Sequence, residues 1–320
     1  MRPILCNYYV TYRCNAKCNF CDIWHNSKYR HSSDANLKDV TRNLYDLKKI
    51  GIKFIDFTGG EPLLNKSLPD MLKIAKKLKF LTSVTTNCIL YPSRANEIHG
   101  LIDFLHFSLD SLDREVNKQI RGVDTYDDVM KSIEIAKKLG EKPDILYTVT
   151  NDNMDAIHKL YQFCKNQKIM LLVNPVFFYS DQKPLSYKKL KSLNKFKTKS
   201  YVYINMALHN LIMNGGNSIQ KPRCKAVSST IVISPENKLL LPCFHHSIKE
   251  IDISNSIEEI LKSDEYMEFK EHEGRFDFCE SCSINCYLDP SFTHKFDKLF
   301  ILSFLSKAKY VIDKNIKSRF

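Results

Sequence analysis

Eleven cysteines are the residues of this 320-residue chain whose types and spacing most directly suggest chemistry. The first group, Cys14, Cys18 and Cys21, has the pattern C-x3-C-x2-C near the amino terminus. Three thiolates on one short loop can hold three irons of a [4Fe–4S] cluster and leave the fourth iron open to a ligand. Zinc is the alternative occupant; it needs a fourth donor, and His25 is near enough in the sequence to serve.

Composition and the amino terminus limit the classes of protein to which the chain can belong. A hydrophobic fraction of 43% and a charged fraction of 26% are typical of a folded globular protein and exclude dominant disorder. The first residues, MRPILCNYYVTYRC, lack the charged start, long apolar run and cleavage site of a signal peptide. We therefore expect a cytoplasmic protein, in which disulfides do not explain the cysteines.

The elements around the first cysteines predict a strand, a helix and a second strand. Ile4–Thr11 is rich in β-formers and ends just before the cysteines, and Leu37–Ile50 has apolar residues at helical spacing. Lys53–Thr58 is the second predicted strand, and it leads into Gly59-Gly60-Glu61-Pro62. Glycines allow the backbone to approach a ligand closely, and the neighbouring glutamate can bind an ammonium group.

These two motifs, in this order and with Phe20 just before the third cysteine, resemble the radical S-adenosylmethionine (SAM) superfamily. The resemblance implies that Cys14, Cys18 and Cys21 hold a [4Fe–4S] cluster whose open iron is chelated by the amino and carboxylate groups of SAM. One electron, from an external donor of the flavodoxin or ferredoxin type, then cleaves SAM to methionine and a 5′-deoxyadenosyl radical. That radical takes a hydrogen atom from the substrate.

The first two-thirds of the chain alternate between predicted strands and helices, as expected of a parallel sheet with crossover helices. The pattern gives six β/α units, which match the partial TIM-like barrel of the superfamily, so the predicted fold class is α/β. The last of its predicted helices, Leu185–Ile212, is long and very basic. Active sites of parallel barrels lie at the carboxyl ends of the strands.

Four further residues are candidate SAM contacts, and three of them lie at those strand ends. Asn87 follows the third predicted strand, and Ser108, on the fourth, resembles the residue that meets the SAM ribose or carboxylate; its alternative is a strand-end turn. Asp110 either binds ribose hydroxyls or caps the next helix. Arg121 resembles a clamp for the SAM carboxylate, and its alternative is a surface ion pair.

The last third contains a hairpin pattern, Ser229–Asn237 followed by Leu239–Leu241, and a predicted helix, Ile257–Phe269. Asn237 stands in the predicted turn, where it tolerates a left-handed conformation. A second group of five cysteines surrounds these elements: Cys224, Cys243, Cys279, Cys282 and Cys286.

A hairpin flanked by cysteines, then a helix, then C-x2-C is similar to the auxiliary-cluster modules called twitch and SPASM domains. The resemblance implies one auxiliary [4Fe–4S] cluster, for which Cys224, Cys243, Cys279 and Cys282 are the chosen ligands. Cys286 is then left over, or it replaces one of the four. Structural zinc is the alternative occupant of this module.

The domain organisation that follows has three parts: a radical SAM barrel over 1–215, a small α+β auxiliary domain over 216–290, and a basic amphipathic helix over 291–320. The formal net charge is +12, with basic segments at Lys183–Lys199 and from Lys295 onward. The carboxyl-terminal helix either caps the barrel or auxiliary domain, or lies on an anionic membrane surface as a peripheral anchor.

The sequence thus predicts a radical SAM enzyme that oxidises or otherwise modifies an unactivated C–H position of a small organic or peptide substrate. The auxiliary cluster would accept an electron or anchor the substrate. Because the chain begins at its first barrel strand, a small molecule, or a peptide presented by a separate partner, is favoured. The basic segments motivate two alternatives: modification of RNA or a lipid-linked substrate, and a zinc protein that binds nucleic acid without catalysis.

Overall fold

The structure is a computed structural model that describes residues 3–29, 31–177 and 184–315. Within these ranges ten strands form one sheet, in the order β10-β9-β8-β1-β2-β3-β4-β5-β6-β7. The pairs from β8 through β1 to β7 are parallel, and β9 and β10 are added as antiparallel strands. The strands are β1 (Leu5–Thr11), β2 (Phe54–Gly59), β3 (Leu81–Thr86), β4 (Phe104–Ser108), β5 (Asp144–Val149), β6 (Leu171–Pro175), β7 (Val202–Tyr203), β8 (Thr230–Ile233), β9 (Lys238–Leu241) and β10 (Lys249–Asp252).

Helices connect the parallel strands and cover the outer face of the sheet. Those of the barrel are α1 (Leu37–Lys49), α2 (Leu68–Lys77), α3 (Tyr91–Ile98), α4 (Arg114–Arg121), α5 (Tyr126–Lys138), α6 (Ala156–Gln167), α7 (Tyr187–Ser192) and α8 (Met206–Met213). Those that follow are α9 (Ala226–Ser229), α10 (Ile257–Ile260), α11 (Asp264–Glu271), α12 (Asn285–Ser291) and α13 (Lys298–Asn315). The predicted α/β fold with a partial barrel is confirmed.

The sheet has an apolar outer face and a more polar inner face. Tyr8 and Phe57 belong to the main hydrophobic core, between the sheet and its helices. Side chains alternate along a strand, so their neighbours face the other way. Asn7, Asp56 and Ser83 are in register on β1, β2 and β3, and they therefore point together into the concave side of the barrel. We call this concave side the lumen.

Two predicted long helices are wrong. The segment Leu185–Ile212 contains the short helix α7, the strand β7 and the helix α8 instead of one helix. The chain turns at Tyr201, whose φ is +59°, and β7 then pairs with β6 at the edge of the sheet, so strand pairing satisfies backbone groups there. The segment Ile257–Phe269 is divided into α10 and α11 because the Ser263 side chain accepts a hydrogen bond from the Tyr266 amide and starts a new helix.

The carboxyl-terminal hairpin continues the barrel sheet, since β8 pairs in parallel with β1. The predicted hairpin is confirmed as β8 and β9, and Asn237 in its turn has the expected left-handed φ, +62°. The Asn237 side-chain oxygen accepts a hydrogen bond from Asn43 of α1 at 2.7 Å. The sheet is thus continuous across the predicted boundary between residues 215 and 216, which itself stays a prediction.

The helix α13 packs against α8 and β7. Near its end, Tyr310 donates a hydrogen bond to the buried Asp144 carboxylate at 2.6 Å, and Lys314 lies 2.8 Å from the same carboxylate. Asp144 begins β5, so α13 closes the end of the barrel opposite the carboxyl ends of the strands. Residues 316–320 of the predicted tail lie outside the described residues. Among the helices described, none has the length and apolarity required to cross a bilayer.

Candidate active site

The first three cysteines lie together on the loop that follows β1. Burial raises the pKa of Cys14 to about 11 and that of Cys21 to about 12, and the sulfur of Cys18 raises both further. Cys14 and Cys21 therefore each lie near the Cys18 sulfur, as expected of three side chains that converge on one site. The Cys14 sulfur also accepts a hydrogen bond from the Ala16 amide at 3.4 Å.

The loop is held in place by the end of α4. The Lys17 amide donates to the Arg121 carbonyl and the Asn19 amide donates to the Ile120 carbonyl, both at 2.9 Å. The close approach requires glycine at the next position, because a Cβ at Gly122 would lie 2.3 Å from the Lys17 carbonyl oxygen. The cysteine loop is thus fixed by backbone contacts to a helix that sequence reasoning had missed.

The glycines of the Gly59–Pro62 motif bring β2 against the start of the cysteine loop. A Cβ at Gly59 would lie 2.0 Å from the Thr11 carbonyl oxygen, and one at Gly60 would lie 2.2 Å from that of Arg13. The Gly60 amide donates to the Thr11 carbonyl at 2.9 Å. Pro62 then begins a short 3-10 turn. In the structure the close approach made by these glycines is to the protein's own backbone.

Glu61 is buried, and its carboxylate joins two strand-end loops. It accepts hydrogen bonds from the Leu63 amide at 3.1 Å, the Thr86 hydroxyl at 2.9 Å and the Asn87 amide at 2.8 Å. Burial raises the pKa of Glu61 to about 7, although these donors oppose the shift. Its binding of an ammonium group stays a prediction. The Asn87 side chain donates to Asn15 of the cysteine loop at 2.7 Å, so Asn87 does lie at the predicted site.

Two predicted SAM contacts, Asp110 and Arg121, form a buried ion pair. The Arg121 Nε atom lies 2.7 Å from Asp110 Oδ2, and Arg121 Nη1 lies 3.7 Å from the Cys18 sulfur. The guanidinium lies over the Phe20 ring, 5.5 Å from its centroid. The surface ion-pair alternative for Arg121 is wrong, because only 5% of the residue is exposed. The helix-cap alternative for Asp110 is also wrong, because Asp113 caps α4.

Ser108 is buried at the end of β4, at the same edge as the other candidates. Its contact with SAM, and the ribose contact of Asp110, stay predictions. The structure therefore gathers Asn87, Asp110, Arg121 and Phe20 at the cysteine loop, with Ser108 at the neighbouring strand end.

Four of the five carboxyl-terminal cysteines form a second convergent group. Burial raises the pKa of Cys224, and the sulfurs of Cys282, Cys243 and Cys279 raise it further. Burial likewise raises the pKa of Cys243 to about 12, with contributions from Cys282 and Cys279. The four side chains therefore face one another.

Asn217, which sequence reasoning did not single out, joins the segments that carry these cysteines. Its side-chain oxygen accepts from the Cys224 amide at 2.9 Å, and its side-chain nitrogen donates to the Cys279 carbonyl at 3.0 Å. Its backbone amide donates to the Cys282 carbonyl at 2.9 Å. Its position directly after two glycines was the only local sign in the sequence, and glycines are common in ordinary turns.

Cys286 lies apart from the other four cysteines, at the start of α12. Although part of the side chain reaches solvent, the surrounding protein atoms displace water from the thiol and raise the pKa of Cys286 to about 12, and the next contribution comes from Asp56 of β2, not from another cysteine. This exposure to solvent is expected of a residue in the wall of an open lumen. The neighbouring Tyr287 hydroxyl accepts from the Phe244 amide at 2.9 Å, and Phe244 stacks on Tyr9 of β1 at 4.1 Å. Cys286 therefore faces the lumen.

Comparison with known proteins identifies the barrel. The sequence profile of the Radical SAM superfamily matches residues 8–164, which include all three loop cysteines and the Gly59–Pro62 motif. The chain contains a radical SAM domain. As a radical SAM enzyme it uses a [4Fe–4S] cluster and SAM.

Among similar curated proteins is a probable GTP 3′,8-cyclase of Sulfurisphaera tokodaii, 28% identical over 283 residues, which are 82% of this chain and 86% of that protein. A probable GTP 3′,8-cyclase of Sulfolobus acidocaldarius is 26% identical over 278 residues, 80% of this chain and 86% of that protein. A third, the GTP 3′,8-cyclase of Clostridium perfringens strain 13, is 31% identical over 164 residues, 49% of this chain and 50% of that protein.

Two solved structures have the same fold. Streptococcus suis SuiB bound to S-adenosylmethionine superposes with a TM-score of 0.69 and 20% identity, over 93% of this chain and 77% of SuiB. The enzyme anSMEcpe with bound AdoMet superposes with a TM-score of 0.67 and 16% identity, over 98% of this chain and all of that chain. At such identities the likeness concerns the fold.

The residues at the radical SAM cysteine loop fit a [4Fe–4S] cluster. Cys14, Cys18 and Cys21 supply three sulfurs, and N–H groups of Ala16 and Arg121 lie at two of them. Such donors stabilise cluster sulfurs. Arg121 Nη2 is buried without a hydrogen-bond partner among the described atoms, so a donor remains for an anionic group.

The Gly122 contact predicts a specific effect of a single methyl group. Gly122→Ala combines a left-handed φ of +68° with the clash against Lys17, so we expect a loss of about 2–4 kcal/mol in the free energy of unfolding and reduced iron content. Gly140→Ala is the matched control. Its φ is +74°, but nothing lies within 4 Å of the added Cβ, so about 1 kcal/mol and full iron content are expected. Equal effects in denaturant titrations and iron assays would contradict the proposed anchor.

Asp56 predicts a pH dependence of stability. Burial raises the pKa of this lumen carboxyl to about 6, and the hydrogen bond from Ser83 opposes the shift. The native state thus holds the proton to higher pH than the unfolded state does. The stability that this carboxyl contributes is therefore fully present below its pKa in the unfolded state, and it is lost as the pH rises through its pKa in the native state. The free energy of unfolding of Asp56→Asn should therefore increase relative to that of wild type as the pH rises from ~4 to ~7, by about 1–3 kcal/mol in total. Urea midpoints of cluster-free protein test this, and a pH-independent difference would contradict it.

Proposed function

We propose that this radical SAM enzyme abstracts a hydrogen atom from an unactivated C–H position of a small organic or peptide substrate held in the lumen. The cluster on Cys14, Cys18 and Cys21 supplies the reductive cleavage of SAM. The cysteine loop lies at the carboxyl ends of the strands, where the lumen opens, so a radical formed there reaches a molecule inside the barrel. The loop's anchoring to α4 and β2 holds the cofactor site in one position.

The polarity of the lumen is the observation on which the proposed substrate class depends. The inward positions of β1 to β6 carry amides, hydroxyls, aromatic rings, leucines, the His106 imidazole and the carboxyls of Asp56 and Asp144, and none of them is Lys or Arg. A nucleoside triphosphate would require cations around its phosphates. A neutral or cationic small molecule, or a peptide segment, suits such a surface better.

A second candidate reaction is GTP 3′,8-cyclisation. It is favoured by the two curated relatives with that name, which match 82% and 80% of this chain. Modification of RNA or a lipid-linked substrate, suggested by the basic segments alone, stays a prediction with no structural support.

The grouping of Cys224, Cys243, Cys279 and Cys282 supports an auxiliary [4Fe–4S] cluster on those four residues. The stacked rings of Tyr9 and Phe244 belong to the same hydrophobic cluster as Cys224 and Cys243. The auxiliary cluster would accept an electron from the substrate radical or bind the substrate directly. An external donor of the flavodoxin or ferredoxin type would reduce the SAM cluster.

Deuterium transfer distinguishes the two candidate reactions. Reconstituted enzyme, dithionite and SAM are incubated either with GTP or with a perdeuterated extract of small molecules and peptides, and 5′-deoxyadenosine is examined by mass spectrometry. We expect deuterium in 5′-deoxyadenosine from the extract and no stimulation of its formation by GTP. A cyclised nucleotide formed from GTP would overturn the proposed substrate class in favour of the second candidate.

A further inference from the structure

The buried pair formed by Asp110 and Arg121 is held in place by hydrogen bonds to β5 and α4. Asp110 is fully buried; its Oδ1 accepts from the Thr148 amide of β5 at 2.9 Å, and its own amide donates to the Asn117 side chain of α4 at 3.0 Å. Its Oδ2 lies 2.7 Å from Arg121 Nε, in an ion contact rather than an aligned hydrogen bond. A buried carboxylate held in this way determines where the guanidinium can lie.

The other side of the guanidinium faces the cluster loop. Arg121 Nη1 lies 3.7 Å from the Cys18 sulfur, and the Phe20 ring limits the movement of the guanidinium plane. The Arg121 carbonyl also accepts from the Lys17 amide, one residue before Cys18. Backbone and side chain of one residue thus contact the same loop. The unpartnered buried Nη2 is a second, independent indication that a further acceptor belongs at this place.

We infer that Arg121, oriented by Asp110, is a positioning residue that raises the reduction potential of the SAM-binding cluster through the Cys18 ligand. Reduction adds one electron and no proton to the cluster, and an external donor of the flavodoxin or ferredoxin type is oxidised. A fixed cation beside a ligand sulfur in a buried setting stabilises the more negative, reduced cluster. Asp110 lies on the far side of the cation and offsets part of this effect.

The role differs from the predicted SAM carboxylate clamp, because it operates before SAM binds. It makes the cluster reducible by a donor of moderate potential. The test is an EPR-monitored redox titration of reconstituted protein without SAM, which separates the two roles.

Three variants are compared with wild type. Arg121→Gln should lower the midpoint potential, with a loss of at least tenfold in the equilibrium constant for reduction, which is about 59 mV for one electron. Asp110→Asn removes the negative charge that offsets the Arg121 cation, so it should raise the midpoint potential of the cluster. Arg114→Gln is the matched control on the same helix; Arg114 is paired with Asp124 and Asp127 at the surface, and no change is expected.

Opposite shifts in the Arg121 and Asp110 variants would establish the electrostatic role, since a purely structural role gives no reason for opposite signs. An unchanged midpoint in Arg121→Gln, or shifts of the same sign, would overturn it. If Arg121→Gln does not retain its cluster, the sign for Asp110→Asn decides: a raised midpoint supports the role, and a lowered or unchanged one overturns it. SAM cleavage by the wild-type protein is measured in a separate assay, so a failure of this inference is distinguished from a failure of the proposed function.

Discussion

Replacing Cys18 with alanine is expected to reduce SAM cleavage to the rate measured without protein. Cys18 is the central one of three converging thiols, and three thiolates are the minimum that holds the cluster while one iron stays open. The variant should also lack the iron of this cluster. Arg121, which contacts the Cys18 sulfur, cannot replace that sulfur as an iron ligand. The measurements are iron and sulfide content after anaerobic reconstitution, and 5′-deoxyadenosine formed with dithionite.

The control for Cys18→Ala is Cys164→Ala. Cys164 is a fully buried free thiol on α6, within the main hydrophobic core, so this variant loses a thiol without losing a cluster ligand. It should retain its iron and its SAM cleavage. Continued 5′-deoxyadenosine production by Cys18→Ala would refute the assignment of the loop.

Replacing Cys279 with alanine is expected to lower iron to roughly half of the wild-type content, since a second four-iron cluster would be lost while the first remains. Cys279 faces Cys224, Cys243 and Cys282, and these segments do not include the loop after β1. SAM cleavage without substrate should therefore persist. Product formation, in contrast, should fail if the auxiliary cluster accepts an electron.

Cys286→Ala is the matched variant for Cys279→Ala. Because Cys286 faces Asp56 and the lumen, its replacement should leave the iron content unchanged. Unchanged iron in Cys279→Ala would remove the auxiliary site. Halved iron in Cys286→Ala would instead place Cys286 among the ligands, which the sequence alone left open.

The parts of the site that lie close together in the sequence could be predicted from it. The cysteine loop and the Gly59–Pro62 motif are continuous, and each follows a strand whose end places it at one edge of the sheet. The αL turn at Asn237 was likewise local. In these cases residue type and neighbouring pattern carry the information.

The parts that depend on tertiary contacts could not be predicted. The contact of Gly122 with Lys17 joins residues far apart in the chain, and the burial of the Asp110–Arg121 pair depends on the tertiary fold around it. Asn217 resembles any turn asparagine until the cysteine segments fold around it. The basic segment Leu185–Ile212 has helical composition, but pairing of β7 with the sheet edge decided its structure.

The most direct test of the account is the reductive cleavage of SAM by the wild-type chain. Protein reconstituted anaerobically with iron and sulfide is mixed with SAM and dithionite, and methionine and 5′-deoxyadenosine are quantified alongside the absorption of the cluster. We expect cubane absorption that bleaches on reduction and equal amounts of the two products. Colourless protein that leaves SAM intact would contradict it.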